Sequence, residues 1–181
     1  MISELCKVCN NPLKLEMLVR IHSAKDGVNV GVLADEMSPR GLVLSAVSQY
    51  LKQLETLGAV RRVRAGRYVN YFPNDAASAD IRSVIATIAA RKGNRKTLAP
   101  YFAALMNPFR AKVVAALRKA GEISAVEICE KTEHQLRYLK RNLQAAEDAG
   151  LIWSDDSEPS LAVYHYCEPS DPIARLLVAL C

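Results

Sequence analysis

The densest run of chemistry-bearing side chains is Val60-Arg-Arg-Val-Arg-Ala-Gly-Arg-Tyr-Val-Asn-Tyr71. Arg62, Arg64 and Arg67 lie within six residues there, and guanidinium groups suit phosphate. Strand alternation puts Arg62 and Arg64 on one face with Val63 opposite, and Arg67 beside a turn. Just upstream, Ser45, Ser48, Gln49 and Lys52 lie among Leu44, Val47, Leu51 and Leu54 at helical spacing. The apolar set is expected to face a core. The polar set is left on the other face, where Ser and Gln can bond base edges or phosphates and Lys can neutralise phosphate. Farther on, Leu136, Leu139 and Leu143 form a similar stripe, with His134, Gln135, Arg137, Lys140 and Arg141 on the exposed side.

Cys6-Lys-Val-Cys9 is a CxxC, a spacing used by metal and redox sites. His22, His134 and His165 are scattered and form no ligand pair. No GxSxG, phosphate-binding loop or dinucleotide fingerprint is present, so no enzyme activity, cofactor or metal is expected. The five cysteines are an odd number and do not read as a disulfide framework. No apolar run approaches the roughly 18–20 residues of a membrane span. The start Met1-Ile2-Ser3-Glu4 lacks a signal pattern, so a cytoplasmic protein without a membrane partner is expected.

These residues must be positioned by elements, and the elements repeat. Asn11-Pro12 and Asn107-Pro108, at an offset of 96, each open an amphipathic run with an N-cap and a proline start. Leu54-Glu-Thr-Leu-Gly58-Ala-Val60 recurs as Ala146-Glu-Asp-Ala-Gly150-Leu-Ile152, at an offset of 92. In both, a glycine ends a helix and apolar residues begin a strand. Repeat one reads as helices near 3–9, 12–22, 29–37 and 44–57, strands near 59–64 and 67–72 around a turn at Ala65-Gly66, and a helix near 77–92. Repeat two reads as helices near 98–106, 108–120, 124–131 and 134–149, strands near 151–154 and 162–167, and a helix near 172–180. Ser124…Glu127 has capping-box spacing, and Asp171-Pro172 marks another helix start. Arg91–Lys96 resembles a linker, which gives expected domains of 1–96 and 97–181.

The internal comparison also bears on the cysteines. At offset 96, Cys6 and Cys9 align with Phe102 and Leu105, both core-type residues, so core packing is the reading, with redox sensing through Cys6 and Cys9 the alternative. Cys129 aligns with Ala34 and Cys167 with Phe72; Cys181 is a candidate exposed thiol. Charge divides along the same line. Residues 1–96 carry 15 Lys and Arg against 8 Asp and Glu, giving +7, whereas residues 97–181 carry 9 against 11, giving −2. The second hairpin holds Asp155, Asp156 and Glu158, which phosphate would repel.

The order helix, helix, helix, two-stranded hairpin is that of a winged helix-turn-helix. Ser45–Val60 resembles the recognition helix and strand start of ArsR-type transcriptional regulators. Ala104-Leu-Met-Asn-Pro-Phe-Arg110 is similar to that family's first-helix signature, and Cys9–Lys14 is a weaker copy. The resemblance implies promoter repression by dimers built on the first and last helices. It also implies sensing through paired cysteines before the recognition helix, or through His and acidic residues on the last helix. Val30–Glu36 and Ile81–Ile88 supply neither thiol nor imidazole there.

The expected fold is mainly α with small β-hairpin wings (α+β): tandem winged helix-turn-helix domains forming an internal pseudo-dimer. The last helix of each repeat would pack against the first helices. The expected function is a sequence-specific repressor of double-stranded DNA, acting as a monomeric pseudo-dimer or a homodimer and binding through helices 44–57 and 134–149 and hairpin 60–71. Repeat one would dominate, so the operator need not be palindromic. A winged-helix protein-interaction module is the alternative from another class.

Overall fold

The computed structural model describes residues 2–24, 26–91, 95–155, 158 and 160–181. It is a mixed α+β chain with two small three-stranded antiparallel sheets. Asn11–Arg95 form one unit, and Met1–Asn10 with Lys96–Cys181 form the other. This boundary, at 95/96, falls one residue before the expected 96/97. Residues 1–10 depart from the expected grouping: that first helix packs with the C-terminal repeat. Lys92–Asn94 of the expected linker and Asp156 of the acidic hairpin lie outside the described residues.

The first unit runs α2 (Pro12–His22), β1 (Val28–Asn29), α3 (Val30–Met37), α4 (Leu44–Thr56), β2 (Val60–Ala65), β3 (Tyr68–Pro73) and α5 (Ala79–Ala90). The second begins with α1 (Ile2–Cys9). It continues through α6 (Ala99–Leu105), α7 (Pro108–Ala120), β4 (Glu122–Ser124), α8 (Ala125–Thr132), α9 (Leu136–Asp148), β5 (Ile152–Ser154), β6 (Val163–Tyr166) and α10 (Pro172–Ala179). The sheets have the same topology, β1-β3-β2 and β4-β6-β5. Their short outer strands β1 and β4 are absent from the expectation, because two or three residues cannot display an alternation.

Helix starts are set as the sequence indicates. The side-chain oxygen of Asn11 accepts from the Leu13 and Lys14 amides, that of Asn107 from Phe109 and Arg110, and that of Asp171 from Ile173 and Ala174. Each satisfies donors that a helix start leaves unpaired, and proline follows each cap where no amide is needed. Ser124 Oγ accepts from the Glu127 amide, while Glu127 pairs with Lys131.

Helix ends are just as specific. Gly58 has φ +78° and Gly150 has φ +65°. After α4, the Gly58 amide reaches Glu55 O at 2.9 Å and the Ala59 amide reaches Leu54 O at 2.9 Å. After α9, Gly150 reaches Glu147 O at 2.8 Å and Leu151 reaches Ala146 O at 2.9 Å. These are two Schellman endings, and each turns its helix directly into a strand.

In the first unit, α5 packs on α2, and Ile81, Val84, Ile85 and Ile88 of α5 are buried. In the second, α10 packs on α6 and α7, as expected of a last helix. Also in the second unit, α1 packs on α6, its own counterpart in the repeat. The Asn10 amide lies 3.6 Å from Met106 Sδ, a contact between positions 96 apart, the offset of the repeat itself. Arg110 ties α6 to α9 by donating to Ala103 O and Ala104 O at 2.7 Å and to Asn142 O at 3.3 Å. Among the described residues, no helix is long and apolar enough to cross a membrane.

A side chain added at Gly150 meets nothing within 4 Å, so its cost is that of the left-handed backbone alone. Gly150→Ala is expected to destabilise the second unit by about 1–2 kcal/mol. Urea unfolding followed through Trp153, the chain's one tryptophan, measures this.

Candidate nucleic-acid interface

Val47, Leu51 and Leu54 of α4 are all 0% exposed, which fixes the rotation of the helix. Ser45, Gln49 and Lys52 are consequently exposed and Ser48 is half-buried. Leu44 departs from the expected core stripe: it is 53% exposed, beside Val43 at 64%. It is the first residue of the helix and projects past the core that Val47 enters one turn later.

The hairpin turn is Gly66-Arg67, since Ala65 pairs with Tyr68, and this differs from the expected Ala65-Gly66. Only Gly66 has positive φ (+61°) in this turn, the preference of a tight hairpin with glycine first. The shift leaves Arg62 and Arg64 on one face as expected, but sets Arg62 opposite Tyr71 and Arg64 opposite Val69. Arg67 sits in the turn, its guanidinium donating to the Tyr68 hydroxyl at 3.0 Å. Arg64 Nε donates to Gly66 O at 3.1 Å. On the opposite face, Arg61 stacks over the Phe72 ring at 4.5 Å, which commits it to the sheet.

Helix and hairpin meet across a groove of about 350 Å³ lined by Ser48, Lys52 and Glu55 of α4 and Arg62, Val69 and Tyr71 of the hairpin. Three of the expected contact residues, Ser48, Lys52 and Arg62, thus face one space. Ser45, Gln49, Arg64 and Arg67 lie outside it on the same two elements. Arg62 Nε is 3.5 Å from Glu55 Oε1. With the arginine side chain 56% exposed, this pair contributes little to stability and sets Arg62 beside Glu55. Glu55 and Tyr71 were not among the expected residues. Tyr71 becomes legible only once the turn is placed, because register decides which strand residue faces Arg62.

The second unit carries the same frame with different groups. Helix α9 begins at Leu136, two residues later than expected, and Leu136 is half-buried whereas Leu139 and Leu143 are fully buried. His134 precedes the helix. It is half-buried, stacked on Phe109 at 3.8 Å and held to Thr132 O at 2.9 Å, so it is not on the exposed face. Gln135 and Arg137 are exposed and bonded to each other at 2.9 Å; Arg141 is exposed and Lys140 half-buried. At the position of Arg62 stands Ser154, whose hydroxyl donates to Glu147 Oε1 at 2.8 Å.

In that sheet Trp153 pairs with His165 and stacks on it at 4.1 Å, where the first sheet has Arg61 and Phe72. The counterpart of Phe72 is therefore His165, not Cys167. His165 lies 3.4 Å from Glu122 and 3.7 Å from Asp155. Asp155 also accepts the Val163 amide at 2.8 Å, which holds its carboxyl below the usual range. This acid of the second hairpin is engaged in the hairpin's own structure.

Cys6 and Cys9 are 0% and 2% exposed, and both are free. Burial pushes both thiols up, Cys9 to about 12. Cys181 is exposed. Among the described residues, no group of three or more His, Cys, Asp or Glu gathers in a way that could hold a metal ion. Comparison with family models, with curated proteins and with solved structures found no match.

Native protein treated with a thiol reagent at pH 8 is expected to leave Cys6 and Cys9 unmodified while the second unit stays folded, because so little thiolate is present. Peptide-level mass spectrometry reads this. Rapid modification of either would move the pair from core to reactive site.

Proposed function

We propose that the chain is a sequence-specific regulator that binds double-stranded DNA through two winged helix-turn-helix units, acting as a repressor in the cytoplasm. The observation that carries this reading is the groove shared by the polar face of α4 and the hairpin arginine Arg62. Placed in a major groove, α4 would offer Ser45, Ser48 and Gln49 to base edges. Lys52, Arg62, Arg64 and Arg67 would meet the flanking backbone. A helix and a basic hairpin on one side of one unit make a continuous surface for a duplex, and α4 is buried on its other side.

The second unit supports a weaker role. Its helix α9 keeps Arg137, Lys140 and Arg141, but its hairpin has Trp153, Ser154 and Asp155 where the first has Arg61, Arg62 and Val63. Binding should therefore be asymmetric, with the first unit dominant. The packing of α1 on α6, centred on counterparts 96 residues apart, supports an internal pseudo-dimer. Exposure of Trp153 (48%) and Leu161 (64%) favours a protein-contacting role for the second hairpin as a second reading.

Affinity for duplex DNA is expected to fall steeply with salt, with a log–log slope of about −0.9 per phosphate neutralised. Replacing Arg62, Arg64 and Arg67 together by alanine should flatten that slope by roughly 2–3, measured by fluorescence anisotropy across a salt series. Replacing Arg137, Lys140 and Arg141 should flatten it less. Duplex binding indifferent to the hairpin variant would sink the mechanism.

A further inference from the structure

The α4–hairpin groove gathers several hydrogen-bond donors on one surface. Tyr71 lines this groove and is only 5% exposed. Ser48 and Lys52 line the same space. Donors gathered on one half-closed surface suit an anion, whose oxygens can accept from several of them at once. Burial and the nearby Glu55 charge push the Tyr71 phenol up, so it remains an O–H donor at neutral pH. Lys52 and Arg62 against Glu55 leave the groove one positive charge in excess.

We propose that this groove is a seat for a phosphate group, with the Tyr71 and Ser48 hydroxyls and the Lys52 ammonium donating to its oxygens and Arg62, positioned by Glu55, neutralising it. The seat itself stands on the groove. Its assignment to the phosphodiester of a duplex backbone rests on the DNA-binding reading, and a free phosphate ion presents the same oxygens.

The second unit is an internal comparison. It keeps the glutamate and the tyrosine as Glu147 and Tyr164, so those two belong to the shared frame. It has Ser154 for Arg62 and Gln144 for Lys52, and Gln144 spends its amide on Asp148 at 3.0 Å. The counterparts of Lys52 and Arg62 are uncharged there, and the Glu147 carboxylate is bonded within the unit. The first unit sets Lys52 and Arg62 against Glu55, whereas the second sets Lys140, at the position of Ser48, against Glu147, so only the first has net positive charge for an anion.

The test titrates inorganic phosphate into the full chain, with chloride at matched ionic strength as the control, and follows assigned resonances of Ser48, Lys52, Arg62 and Tyr71. Saturable shifts at these residues with phosphate and not with chloride are expected. Tyr71→Phe keeps the ring and removes one charge-assisted donor, so it should weaken phosphate about ten-fold. Lys52→Gln changes an exposed side chain with no risk to the core and should weaken it comparably. Shifts equal with chloride, or affinity unchanged in both variants, would overturn the seat.

Random-sequence duplex, titrated into the same proteins, identifies the source. If phosphate competes with duplex and both variants weaken duplex, the seat holds the DNA backbone. If duplex binds equally well to all three proteins while phosphate fills the seat, the ligand is the free ion. If no duplex binds at any salt, the DNA-binding reading falls, while the seat is still decided by the phosphate titration.

Discussion

The candidate interface depends on the burial of three side chains of one helix, Val47, Leu51 and Leu54. Each fully buried aliphatic contributes roughly 1.5–3 kcal/mol relative to exposure. Together they hold α4 at a single rotation. Every polar residue of interest on the helix is outward because these three are inward. The Schellman ending at Gly58 then converts that rotation into a strand direction: Leu54 O is taken by the Ala59 amide, and Val60 begins β2 buried. A helix of other length, or one ending without the glycine, would carry Arg62 away from Lys52. The groove is thus a consequence of core packing plus one left-handed residue.

The two repeats show how one frame is given two surfaces. Both sheets have the same strand order, both third helices have eight residues, and both fourth helices have thirteen. Glu55 and Glu147 lie at the same point near the helix end, but one faces an arginine and the other a serine. Arg61 over Phe72 and Trp153 over His165 fill the same cross-strand position with different stacked pairs. The frame tolerates these exchanges because they occupy hairpin faces, not the stripes that set the helices. Net charge follows the exchanges, and the +7 and −2 halves record them in bulk.

Much of this was legible in the sequence because it was written in local chemistry. Asn11-Pro12, Asn107-Pro108 and Asp171-Pro172 placed three helix starts to the residue, since cap and proline act within one turn. Gly58 and Gly150 placed two ends for the same reason. What escaped was set by partners distant in sequence. β1 and β4 exist only because β3 and β6 offer them an edge. His134 read as an exposed helical residue because nothing local announces its stacking on Phe109, 25 positions earlier. Tyr71 escaped through a turn placed one residue early, which moves every cross-strand partner by two.

The cysteine pair shows how an internal repeat can decide between chemistry and packing. A CxxC alone fits a metal or redox site. Here its helix α1 lies against α6, and the aligned residues Phe102 and Leu105 are 1% and 0% exposed. A helix that packs on its own counterpart places equivalent positions in equivalent surroundings, so a buried phenylalanine on one side argues for a buried small hydrophobe on the other. The Asn10–Met106 contact joins two positions separated by the repeat offset itself. Exchange of Phe and Leu for Cys on one helix alone reduces side-chain volume there. Two repeats within one chain can differ at such positions, because each is encoded separately. The same freedom lets one hairpin keep its arginines while the other gives them up.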